Sequence, residues 1–105
     1  MKRPAAPRAA SETVRQALRR ELEAGPASAR DLSVRVRISE REVLGHLPHV
    51  ERSLVRDGLR LAVEPAECLA CGYRFEQRAR HATPSRCPEC RSERIAPPLF
   101  QSGRR

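Results

Sequence analysis

The chain has 105 residues, of which 32% are charged and only 3% are aromatic, and it contains no Trp. This length allows one ordinary domain or two very small ones, which excludes a large enzyme. The formal net charge of +8 favours a polyanionic partner. Because we find neither an apolar run of membrane-spanning length nor a secretory signal, we expect a soluble cytoplasmic protein that does not bind membranes.

The N-terminal part of the sequence predicts an arm followed by a helix. Residues 1–10, rich in Pro, Ala and Arg, are predicted to form a flexible basic arm. A helix is predicted over 12–24, because Ser11 can cap it and Gly25-Pro26 can end it. Between these signals apolar residues recur at helical spacing, at Val14, Ala17, Leu18 and Leu22.

Two further helices are predicted from capping signals. Ser28 and Asp31 resemble a capping box for a short helix over 29–36, whose apolar positions are Leu32, Val34, Val36 and Ala29. Ser39 and Glu42 form the next box, so a third helix is predicted over 39–57, with Gly58 ending it. Its buried stripe is Val43, Leu47, Val50 and Leu54, flanked by Leu44 and Val55. The stripe continues past Pro48, which favours a bent helix over a broken one.

Residues 11–64 as a whole predict a winged helix-turn-helix, with three helices and a strand or wing. The strand follows from the alternation of Leu59, Leu61 and Val63 with polar or small residues. Ile38 is predicted to plug the turn before the third helix. Arg37 occupies the turn position where Gly is most common, so we expect either a different turn or left-handed strain there. The alternative is a helical bundle that contacts protein.

One face of the third helix is a candidate DNA-binding surface. At 100° per residue, the side opposite the apolar stripe is largely basic. With Ser39 as the cap, the candidate DNA-contacting residues are Arg41, Gly45, His49, Arg52 and Arg56. Arg can bind guanine or phosphate, and Gly allows close approach to the major groove of double-stranded DNA. In the alternative interpretation these arginines only pair with Glu42, Glu51 and Asp57 on a solvated helix.

The most specific signal is a pair of CxxC motifs separated by fifteen residues, at Cys68, Cys71, Cys87 and Cys90. This spacing is typical of a four-cysteine zinc site. Four protein ligands leave the metal no open position, so we predict one structural Zn²⁺. His46, His49 and His81 are the alternative ligands, but four cysteines already complete a tetrahedral site.

The second half of the chain, 65–105, is therefore predicted to be a small β zinc ribbon with a flexible C-terminal tail. One strand is expected through Tyr73, Phe75 and Gln77, and another from Ile95 towards Leu99 and Phe100, interrupted or placed at an edge by Pro97-Pro98. Leu69 and the apolar residues of both strands would form its core. In the loop between the knuckles, Arg78 and Arg80 are further candidates for nucleic-acid contact.

The helical half followed by "VEPAECLACGYRF" and "PSRCPECRSERI" resembles a family of small prokaryotic predicted transcriptional regulators. In that family a helix-turn-helix is fused to a C-terminal zinc ribbon, and the resemblance covers roughly residues 11–100. It implies an α+β fold, DNA-binding transcriptional regulation, and the four cysteines as metal ligands.

Three other hypotheses concern activity and partners. The knuckles also look like those of rubredoxin, in which four thiolates hold an iron for electron transfer. The ribbon could instead dock onto RNA polymerase or another protein, and the first helix could pair two chains into a homodimer. We expect no enzymatic activity, because we find neither a phosphate-cradling loop nor a nucleophile with a visible base.

Overall fold

The computed structural model describes residues 13–76 and 82–104 and has an α+β fold. Three helices precede four short strands: α1 (Val14–Ala24), α2 (Ala29–Val36), α3 (Glu40–Arg56), β1 (Leu59–Glu64), β2 (Glu67–Cys68), β3 (Ile95–Ala96) and β4 (Leu99–Arg104). The predicted fold class is confirmed. The predicted arm 1–10 and the predicted cap Ser11 lie outside the described residues. Within the described ranges, no helix is long and apolar enough to cross a membrane.

Each helix begins with a complete capping box, in which a hydroxyl and a side chain three residues later each bind the other residue's backbone N–H. The pairs are Thr13 with Gln16, Ser28 with Asp31, and Ser39 with Glu42. The second and third boxes confirm the predicted starts of α2 and α3. The predicted start of α1 is corrected, because Thr13 and not Ser11 is the cap and the helix begins at Val14.

The turn between α2 and α3 contains a left-handed residue. Arg37 has φ 67° and ψ 45°, as expected if an arginine takes the place of the usual glycine. The backbone N–H groups of Arg37 and Ile38 both donate to the carbonyl oxygen of Ser33, at 2.8 and 3.1 Å. Ile38 packs against the core from this turn, as predicted.

Helix α3 runs without interruption through Pro48, which lies on its exposed side. The predicted stripe of Val43, Leu47, Val50 and Leu54 is buried along the whole helix. In α2, however, Val34 is 68% exposed, so its assignment to the apolar face was wrong. Leu32 and Val36 lie four residues apart on the buried face, and a residue midway between them points away from it.

The last strand belongs to the helical half of the molecule. Strand β4 pairs antiparallel with β1, from Leu59 opposite Arg104 to Glu64 opposite Leu99. Phe100 has 0% exposure and lies in the same apolar cluster as the three helices. Its backbone N–H and carbonyl also bond to Ala27, at 2.8 and 2.9 Å. The described part of the C-terminal segment is therefore a strand, and Phe100 lies in the core of the helical half and not in the ribbon core where the sequence pattern placed it.

The segment 65–98 is thus inserted between two paired strands and forms the ribbon. Strands β2 and β3 pair over two residues each, and Arg74 forms an isolated bridge with Glu67. No continuous strand through Tyr73 and Phe75 is found among the described residues, and Gln77 lies outside them. The rings of Tyr73 and Phe75 pack edge to face, with centroids 4.9 Å apart. With so little sheet, the cysteine turns carry most of the ribbon's organisation.

Candidate metal centre and nucleic-acid interface

Two similar turns present the four cysteines. In the first turn the N–H of Gly72 donates to the carbonyl oxygen of Cys68, and in the second the N–H of Arg91 donates to that of Cys87, both at 2.9 Å. Gly72 and Arg91 directly follow the second cysteine of each turn and have φ values of 85° and 67°. A left-handed residue therefore ends each turn, and the two Sγ atoms that each turn presents lie within 4.8 Å of each other.

The sulfur positions fit a tetrahedral metal. The Sγ atoms of Cys68 and Cys90 are 3.6 Å apart, as are those of Cys71 and Cys87, and all four lie within 4.8 Å of one another. Zinc–sulfur bonds of about 2.3 Å at tetrahedral angles place the sulfurs about 3.8 Å apart. The cluster therefore has the size of one four-thiolate zinc site.

Backbone donors and burial shape the acidity of the thiols. Burial alone would raise the pKa of Cys68, but the backbone N–H groups of Cys71 and Ala70 lower it to about 7. For Cys71 the N–H of Tyr73 acts in the same direction, yet burial and the neighbouring sulfurs raise its pKa to about 12. Four adjacent thiols therefore cannot all ionise unless a cation compensates their charge.

The histidines do not join this cluster. Among the described residues, the cysteines form the only group of three or more side chains that could hold a metal. His46 lies on α3 and accepts a hydrogen bond from the Arg15 guanidinium at 3.2 Å, while His81 lies outside the described residues. Four cysteine ligands leave no position for substrate, so the site is structural.

The α3 residues predicted to contact DNA lie opposite the buried stripe. Arg41, Gly45, Arg52 and Arg56 are exposed, and His49 is half-buried. Apart from Gly45 itself, its chain neighbours and the adjacent backbone of α3, no heavy atom lies within 4 Å of the place where a Cβ of residue 45 would stand, so the helix surface there is open. His49 Nδ1 lies 2.6 Å from a guanidinium nitrogen of Arg52. Arg78 and Arg80 lie outside the described residues, and DNA contact by all these residues stays a prediction.

Helix α1 contributes basic residues that the sequence analysis did not single out. A groove of about 620 Å³ lies between α1 and the second half of α3, and we call it the α1–α3 groove. Its charged and titratable lining residues are Arg15, Arg19, Arg20, Glu23, His49, Arg52 and Arg56. The i, i+4 spacing of Arg15 and Arg19 was the available signal, but only the packing of α1 on α3 shows which helix they face.

Each half of the chain matches a protein-family model. Residues 13–62 match the model described as PF0610-like, N-terminal, and residues 65–105 match the PF0610 rubredoxin-like zinc beta-ribbon domain. The solution NMR structure of protein PF0610 from Pyrococcus furiosus is 31% identical, with a TM-score of 0.73. The alignment covers 98% of this chain and all of that one. The chain belongs to the PF0610 family.

Membership of the PF0610 family agrees with the cysteine geometry. The predicted fusion of a helical domain to a zinc ribbon is confirmed, and the four cysteines hold one structural zinc ion. The ribbon of the PF0610 family is described as rubredoxin-like, but the same description names zinc. Comparison with curated proteins gives no match.

Proposed function

We propose that this PF0610-family chain is a DNA-binding transcriptional regulator whose helix α3 enters the major groove of double-stranded DNA. The observation that supports this proposal is the exposed basic face of α3, opposite a continuous buried stripe and directly after a short turn from α2. An α-helix fits the major groove, and the N-terminal residues of a recognition helix reach the base edges.

The first two turns of α3 carry the proposed base contacts. Arg41 is exposed, and its guanidinium has the two parallel donors that match O6 and N7 of guanine. Gly45 follows one turn later and leaves the helix surface open to a base pair. The neighbouring Glu42 is held by the N–H of Ser39 at 2.9 Å, so the cap engages its carboxylate. The proposal therefore assigns base reading to Arg41 and close approach to Gly45.

The ribbon has a supporting role in this proposal. Its four cysteines complete the coordination of the zinc, so we propose no enzymatic activity and no electron transfer. Arg78 and Arg80 would add contacts to the DNA backbone. Leu69, which is 59% exposed in the first cysteine turn, is the side chain that favours a second candidate function, docking of the ribbon onto RNA polymerase or another protein.

Selection of bound duplexes from a random pool, followed by titration of variants, tests the proposal. Arg41→Ala should cost about 1–3 kcal/mol of binding free energy on the selected duplex and far less on random DNA. Arg41→Lys keeps the charge but loses the two-pronged geometry, so it should lose selectivity while keeping affinity for random DNA. Arg30→Ala, an exposed arginine on α2, controls for the loss of one charge.

Two results would count against the proposal. One is a selection that recovers no sequence preference. The other is an Arg41→Ala variant that binds the selected duplex as the parent does. Either result would favour the docking function of the ribbon, which a Leu69→Glu variant should then impair.

A further inference from the structure

We infer that the α1–α3 groove binds the phosphates of the DNA strand that borders α3, an inference that rests on the proposed function. The base-reading residues Arg41 and Gly45 do not line this groove. Its contribution would therefore be affinity for any sequence, separate from base recognition.

Side-chain bonds join α1 to α3 and to the residue that follows it. Arg15, in the first turn of α1, bonds to His46. One turn later, Arg19 bonds to the Ser53 hydroxyl at 2.7 Å and to Asp57 at 2.7 Å. These side-chain bonds connect the two walls of the α1–α3 groove.

The charge along the α1–α3 groove is strongly positive. Glu23 is the only acidic residue among the described residues that line it, and Arg19 binds Glu23 at 3.1 Å. Within 13–76 and 82–104, neither Arg15 nor Arg56 forms an ion pair with a carboxylate. Their charges, together with that of Arg52, are available to an anion that enters the groove.

The pKa of His49 reflects the same positive environment. Its pKa is lowered, mainly because Arg15 lies near, with burial, Arg52 and His46 adding to the effect. A neutral His49 can accept the hydrogen bond from Arg52 at Nδ1, which holds that guanidinium at the groove. The groove is thus cationic without depending on histidine protonation.

The dimensions of the DNA major groove and of packed helices support a DNA strand at the α1–α3 groove. The major groove is about 12 Å wide and a helix with its side chains measures about 10–12 Å, so phosphates border a docked helix on both sides. Packed helices lie about 8–10 Å apart, so the space between α1 and α3 is about as far from the α3 axis as these strands would be. The described lining residues include five arginines and no Phe, Tyr or Trp on which a base could stack, so the lining favours phosphate.

The test measures the salt dependence of binding to a random-sequence duplex with the zinc-loaded full chain. Losing one phosphate contact lowers the slope of log affinity against log salt by about 0.9. For Arg15→Gln or Arg56→Gln, a fourfold rise in salt should therefore weaken binding about 3.5-fold less than in the parent, and for the double variant about 12-fold less. Arg15→Lys should keep the parent slope, which separates charge from structure.

Arg35→Gln is the matched control, because it removes one charge outside the groove, where Arg35 pairs with Glu21 at 3.8 Å. Its slope should change much less. Slopes of Arg15→Gln and Arg56→Gln equal to the parent's, with Arg41→Ala still losing selectivity, would overturn the inference and leave the proposed function intact. Reduced slopes with no effect of Arg41→Ala would support the inference and count against the proposed base reading by Arg41.

A further arm uses inorganic tripolyphosphate at constant ionic strength. Under the inference it competes weakly with the duplex, and the competition decreases in Arg15→Gln. Tight binding of one tripolyphosphate per chain that is lost in Arg15→Gln, without any change in duplex affinity, would assign the groove to a free polyphosphate and contradict the inference.

Discussion

Removing zinc should destabilise the helical half of the molecule, although no cysteine belongs to it. The ribbon 65–98 connects β1 to β4, whose residues Glu64 and Leu99 face each other in the sheet. With metal, the folded ribbon keeps these two ends together. Without metal, the ribbon becomes a flexible loop of about 34 residues, and closing it costs about 3 kcal/mol. That cost is a large part of the roughly 5–15 kcal/mol that stabilises a typical domain.

Thermal unfolding followed by circular dichroism at 222 nm measures this effect, because the helical signal comes from α1, α2 and α3. Under reducing conditions, chelation of zinc should lower the midpoint of helix unfolding by roughly 12–24 °C, given about 4–8 °C per kcal/mol for a domain of this size. The helices should still form at low temperature. An unchanged midpoint after complete metal removal would refute the reasoning.

A variant with the ribbon replaced supplies the control. Joining Glu64 to Leu99 through Asn-Gly gives a two-residue hairpin turn that suits the observed register. This variant should unfold at a higher temperature than the zinc-free full chain and should not respond to chelator. A short-turn variant no more stable than the zinc-free chain would show that loop closure is not the cause.

Three further predictions concern the metal, a turn and a cap. Elemental analysis should find about one zinc and little iron per chain, and Cys87→Ser should lose the metal; stoichiometric iron would support the electron-transfer hypothesis instead. Arg37→Gly should raise the free energy of unfolding by about 1 kcal/mol, because glycine adopts the left-handed conformation without strain; denaturant unfolding that shows no gain would contradict this. The pKa of Asp31 is lowered, mainly by the backbone N–H of Ser28, so its stabilising effect is present above the unfolded pKa of about 3.9 and is lost as the pH falls through the folded value. Asp31→Asn should therefore be less stable than the parent at pH 7 and approach it as the pH falls through the folded pKa of Asp31. A stability difference that does not depend on pH would argue against a role of the charge.

Local signals explain what the sequence could predict of the fold. The boxes at Ser28 and Ser39 involve residues three apart, so the sequence alone locates the starts of α2 and α3. The start of α1 was harder, because Ser11 and Thr13 are both good caps and only Gln16 completes the box at Thr13. Strand β4 pairs with a strand far away in sequence, and alternation of apolar residues does not identify the partner of a strand.

The same distinction holds for the candidate site. The cysteines were predictable because their spacing within each turn is itself the metal-binding signal. The outward face of α3 follows from one helical period. The α1–α3 groove depends on how α1 packs against α3, and only the bonds from Arg15 to His46 and from Arg19 to Ser53 and Asp57 reveal it.

The position of Phe100 bears on how the protein folds while it is being synthesised. The three helices leave the ribosome first, but the aromatic ring that completes their core follows the ribbon in sequence. Until β4 emerges, the apolar cluster of the three helices lacks this ring and is open to aggregation. Each CxxC turn is local and can bind metal before β4 is made, and the folded ribbon then brings β4 beside β1. The supply of zinc in the cell would therefore set how long the nascent helical core stays exposed.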